Sequence, residues 1–150
     1  MGVTAGLWIV PAEEFVSRDG GKVNPQLPKG GTWFSLDEAW AEFDDVLREF
    51  PSPLDRTIGG DVWPEGSLYE DSDRDDATWL GFVSPPTVAE IAKALERIEP
   101  GKVIELIGAA GCRKVRGDFG RRYYAEYFEQ LREAYRAAAA AGAGLGVLLC

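Results

Sequence analysis

The sequence predicts an α+β fold: one compact domain over residues 1–150, a small mixed sheet including both terminal strands, and three main helices. Three observations predict it. Gly6-Leu7-Trp8-Ile9-Val10 and residues 145–150 are apolar, strand-like runs at the two ends. Stretches at helical apolar spacing lie between them. At 150 residues the chain suits one domain with a substantial core.

Taken in order, the first strand runs into Pro11-Ala12-Glu13-Glu14-Phe15, a helix start with proline in its first turn. Gly20, Gly21, Pro25, Pro28, Gly30 and Gly31 then mark a loop. Ser35 with Glu38 has the spacing of a capping box, which predicts a helix over residues 35–50. Its apolar face holds Leu36, Ala39, Trp40, Phe43, Val46, Leu47 and Phe50, and Pro51 stops it. Residues 54–76 read as a long surface loop with one or two short strands. Trp79-Leu80-Gly81-Phe82-Val83 is a strand, and Thr87 with Glu90 repeats the capping-box spacing before Val88, Ile91, Leu95 and Ile98. Pro100-Gly101 ends that helix, and residues 102–107 fit a short helix or a strand. A final helix over about 118–141 is expected to bury Phe119, Tyr123, Tyr127, Phe128, Leu131 and Tyr135.

Composition removes several chemistries. The chain has no histidine, which excludes serine–histidine and cysteine–histidine catalysis and removes the commonest nitrogen ligand for transition metals. Cys112 and Cys150 form neither a CxxC motif nor a zinc pattern, so reduced thiols and no cofactor or metal are expected. The net charge of −9 argues against nucleic acid. Lacking a signal peptide or a long apolar run, the chain reads as cytoplasmic, without membrane association. The charge is uneven: residues 1–100 carry 20 acidic and 8 basic side chains, residues 101–150 carry 5 and 8.

Ser35-Leu36-Asp37-Glu38-Ala39-Trp40, Pro53-Leu54 followed by Gly59-Gly60, and Tyr127-Phe128-x-x-Leu131-x-x-x-Tyr135 carry a family resemblance. In order and spacing the chain resembles the YfbM-like family of small bacterial proteins of unknown function. The resemblance implies an α+β fold and supplies no catalytic residues. Where relatives carry an Ile-Tyr-Pro-like segment, this chain has Cys112-Arg113-Lys114-Val115-Arg116-Gly117-Asp118-Phe119-Gly120. Small bacterial families of this kind include members encoded beside toxins, so the resemblance also suggests an immunity role.

Two candidate sites follow. Trp33 and Trp63 sit beside glycine and proline, and with Tyr69 and the acidic run Glu70, Asp71, Asp73, Asp75 and Asp76 they suit a basic protein partner, such as a toxin or basic enzyme. That run fails the calcium-loop register, because Asp76 and Phe82 stand where glycine and glutamate are needed. The alternative is a small-molecule, nucleotide or phosphate site in the glycine-rich segment 108–122, using Arg113, Lys114, Arg116, Arg121 and Arg122. Paired carboxylates such as Asp61 or Glu65 with an acidic-loop residue are the remaining enzymatic option. The expected function is a non-enzymatic protein-interaction domain, in its narrower form an immunity or antitoxin-like inhibitor.

Overall fold

A computed structural model describes residues 2–15, 33–62 and 79–150 of the chain. Strand β1 (Ala5–Val10) leads through a short 3-10 helix, Ala12–Phe15. Strand β2 (Phe34–Asp37) and helix α1 (Trp40–Leu47) follow, then a second 3-10 helix, Leu54–Arg56. Strand β3 (Trp79–Val83) precedes α2 (Pro85–Glu96), α3 (Pro100–Ala109) and the 3-10 helix Arg113–Arg116. The long helix α4 (Asp118–Ala140) returns the chain to strand β4 (Gly144–Leu149).

The four strands form one sheet in the order β2-β1-β4-β3. The two terminal strands are its centre, registered from Ala5 opposite Leu149 to Val10 opposite Gly144. Reciprocal backbone bonds between Thr4 and Cys150, 2.9 and 3.0 Å, extend this ladder. Every described pairing is antiparallel, so the sheet is not the mixed one expected. Three α-helices and a 3-10 helix separate β3 from β4, and they return the chain so that β4 runs antiparallel to both of its neighbours.

Alternation along the strands makes both faces apolar. Leu7, Val83, Leu145 and Val147 face the helices and join Phe43, Ile91, Leu95, Tyr124, Phe128, Leu131 and Tyr135 in the main core. Trp8, Val10, Leu80 and Phe82 are buried on the opposite face, with Phe15, Val62 and Leu148 beside them. The glycines of β4 make room there: a Cβ on Gly146 would lie 2.3 Å from the Trp8 ring.

Four expectations are corrected. Residues 34–37 are a strand, and α1 begins only at Trp40. The capping-box side chains serve other partners. Ser35 Oγ accepts the Asp37 N–H at 3.2 Å, and Glu38 Oε1 accepts the Gly2 N–H at 3.0 Å. Asp37 at φ 49° turns the chain between strand and helix, a conformation aspartate tolerates better than most residues. In α2 the N-cap is Ser84, not Thr87. Pro85 and Pro86 open the helix, where no backbone N–H is needed. Asp61 does the capping from outside: its carboxylate accepts the Ser84 N–H at 2.8 Å, the Ser84 hydroxyl at 2.7 Å and the Thr87 hydroxyl.

Pro100 stops α2 but also starts α3, giving a fourth helix where three were expected. That helix ends with Gly111 at φ 100°, where the Gly111 and Cys112 N–H groups reach back to Gly108 and Ile107. The fourth correction is Phe119, which is 84% exposed rather than buried. The buried stripe of α4 runs through Gly120, Tyr124, Phe128, Leu131 and Tyr135, and Phe119 lies off it. Within α4, Arg132 and Arg136 hold Glu96 of α2 at 3.2 and 2.6 Å, and chiefly the Arg136 hydrogen bond lowers the Glu96 carboxyl pKa.

Candidate functional site

Strand β2 lies at one edge of the sheet, and among the described residues it pairs only with β1. Beside it runs α4, and an open groove of about 750 Å³ lies between them. Trp33 and Ser35 line it from the strand side; Arg122, Glu126, Tyr127 and Glu129 line it from the helix. Trp33 is 42% exposed, yet it is not loose. Its ring meets Trp8 at 5.0 Å and 48°, above Gly6, where a Cβ would come within 3.0 Å of the indole. A large aromatic held from behind and open in front suits an interface anchor. Phe119, Arg122, Glu126 and Gln130 follow helical spacing on α4, so the exposed Phe119 continues the groove's helix wall by about one turn.

The basic segment does not converge on one point. Arg113, Lys114 and Arg116 lie on the 3-10 helix, and Arg121 and Arg122 in the first turns of α4. Arg116 and Arg121 share a second groove of about 460 Å³ with Gly101, Ile104, Glu105, Gly108 and Val115. Arg122 lines the Trp33 groove instead, because successive helical residues point about 100° apart. Arg113 and Lys114 line neither groove.

Between α1, β2 and α4 lies a third polar arrangement. Tyr124 Oη donates to Glu42 Oε1 at 2.8 Å and lies 3.5 Å from Cys112 Sγ. Tyr123 Oη donates to Asp37 Oδ2 at 3.2 Å. Burial, then the Asp37 carboxylate, pushes the Tyr123 hydroxyl up to about 12. Burial likewise raises Tyr124, with Cys112 and Glu42 adding to the effect, and raises Tyr135. Tyr135 Oη donates to the Thr57 carbonyl at 2.6 Å.

These neutral tyrosines stabilise the fold fully below their unfolded-state pKa of about 10 and lose that contribution as pH rises through the folded values. Urea midpoints should therefore fall from about pH 10 to 12, with tyrosinate absorbance rising alongside unfolding. A flat midpoint across that window would contradict the shifts. All of these hydroxyls are engaged inside the fold, which makes the arrangement structural. Among the described residues no group of three His, Cys, Asp or Glu side chains could hold a metal ion.

Over 98% of this chain and 99% of that chain, the structure is similar to the crystal structure of YfbM from Escherichia coli, a protein of unknown function, with a TM-score of 0.57. This is a YfbM-like fold. At 15% identity the similarity carries the YfbM-like fold and no site residue. No protein-family model matches the sequence, and no curated protein does.

Placed on the YfbM-like fold, the expected partner-binding set is divided. Trp33 stands at the β2 groove; Trp63, Tyr69, Glu70, Asp71, Asp73, Asp75 and Asp76 lie outside the described residues. Asp61 is occupied in holding Ser84, the N-cap of α2, and Glu65 also lies outside them. Sequence reasoning missed the α4 wall. The signal was the spacing of Arg122, Ala125, Glu126, Glu129 and Gln130, which puts them on one solvent-facing stripe. No described helix is long and apolar enough to cross a membrane.

Proposed function

We propose that this chain is a non-enzymatic protein-interaction domain that docks a partner along the β2 edge and the outer stripe of α4. The observation that carries this reading is Trp33: exposed, backed by Trp8, and set at an open groove beside an edge strand. Interface hot spots favour tryptophan in such settings, because a rigid ring buries a large area at little entropic cost. Phe119, on α4, supplies a second exposed aromatic. The narrower form of the reading is an immunity or antitoxin-like inhibitor of a basic protein. Its support is the net charge of −9, which would speed association with a positively charged partner. A basic side chain could stack on the Trp33 face while Glu126 pairs with it.

The test is affinity capture from the native cell with the wild-type chain, Trp33→Ala and Glu126→Lys in parallel, at low and high salt. A basic protein retained by the wild type should be lost with both variants, and its affinity for Trp33→Ala should fall about thirtyfold, the effect of a 2 kcal/mol hot spot. Identical retention by all three proteins would refute this docking face.

A further inference from the structure

We infer that the groove between α3 and the start of α4 is a second docking site, for an acidic protein segment carrying an apolar side chain. This inference does not rest on the Trp33 reading, since the two grooves share no lining residue. The inner part of the site is apolar: Val115 is buried, Ile104 half-buried, and Gly101 has open space where a Cβ would stand. Of the three charged side chains that line it, two are cations. Arg116 and Arg121 line the groove, and Arg113 and Lys114 share the 3-10 helix with Arg116. None of these four cations forms an ion pair among the described residues, although the chain as a whole carries −9.

Arg121 is also pre-positioned. Its Nε donates to the Val115 carbonyl at 2.9 Å, which fixes the side chain and leaves both terminal nitrogens for a ligand. A guanidinium held this way suits a carboxylate, since less rotamer freedom remains to be lost on binding.

Charge complementarity and shape select the occupant. Asp118 occupies the first turn of α4, where a phosphate would otherwise sit on the helix N-terminus, and Glu105 is the one carboxylate lining the groove. Both disfavour a polyanion such as a nucleotide. A flat anionic bilayer cannot fill a concave groove, and it would repel a chain of this net charge. A peptide carrying separate carboxylates and one Leu, Ile or Phe side chain can place the latter against Ile104 and Val115 and the former on Arg116 and Arg121.

Random-peptide display against the full chain tests this. The expected consensus has two or more Asp or Glu residues around one large apolar residue. A synthesised consensus peptide should bind Arg116→Glu about tenfold or more weakly than wild type, more so at low salt, and bind Trp33→Ala unchanged. Arg116 is exposed and unpaired among the described residues, so its variant should keep the wild-type urea midpoint. A consensus without acidic residues, or an affinity that Arg116→Glu leaves unchanged, would overturn the proposal. So would retention on phosphatidylserine vesicles, lost in Arg116→Glu, in the absence of any acidic peptide consensus.

Discussion

Gly120→Ala should destabilise the protein by about 3 kcal/mol or more, although replacing glycine by alanine inside a helix ordinarily stabilises it by about 1 kcal/mol. The reason is a backbone contact. A Cβ at position 120 would stand 1.7 Å from the Lys114 carbonyl oxygen and 2.4 Å from its carbon. Main chain cannot swing aside as a side-chain end can, so α4 and the 3-10 helix Arg113–Arg116 would have to separate. Separation would also strain the Arg121–Val115 bond and open the groove at Arg116. Gly101→Ala is the control, because nothing lies within 4 Å of its Cβ position. Urea unfolding of both variants should show a large loss for the first and a neutral or slightly stabilising change for the second. Equal midpoints would mean that α4 does not approach Lys114 this closely.

Apolar runs made the sheet legible. The central strands β1 and β4 and the edge strand β3 bury both faces, so Leu7-Trp8-Ile9-Val10 and Trp79-Leu80-Gly81-Phe82-Val83 announce themselves without alternation. The edge strand β2 did not. Leu36, Ala39 and Phe43 satisfy a helical stripe, and Ser35 with Glu38 satisfies a helix start, so two local signals agreed on the wrong element. What decided otherwise was tertiary: pairing with β1, and a Gly2 N–H that claimed the Glu38 carboxylate. Phe119 failed for a related reason. A helix of 23 residues has room for an off-stripe aromatic, and only the angular position of the stripe, fixed by Tyr124, Phe128, Leu131 and Tyr135, reveals it. Of the candidate sites, Trp33 was legible from its glycine neighbours, whereas its opposing wall required knowing that α4 runs beside β2.

Phe43→Ala should cost about 3–5 kcal/mol, a large fraction of the 5–15 kcal/mol typical of a whole domain. Phe43 is fully buried, and its ring meets Tyr124 edge-on at 6.1 Å and Phe128 at 5.8 Å, so truncation leaves a cavity between α1 and α4 that rigid helices cannot close. Phe119→Ala makes the same truncation on α4 but should change the unfolding free energy by no more than about 0.5 kcal/mol, since that ring is already in water. The pair separates structure from recognition. Phe43 packs on the inner face of α4 and so holds the outer stripe opposite Trp33; its loss should weaken partner binding only as far as it unfolds the chain. Phe119→Ala should weaken binding with the fold intact. If Phe43→Ala changed stability by less than 1 kcal/mol, the assignment of this ring to the main core would fail, and with it the account of what positions α4.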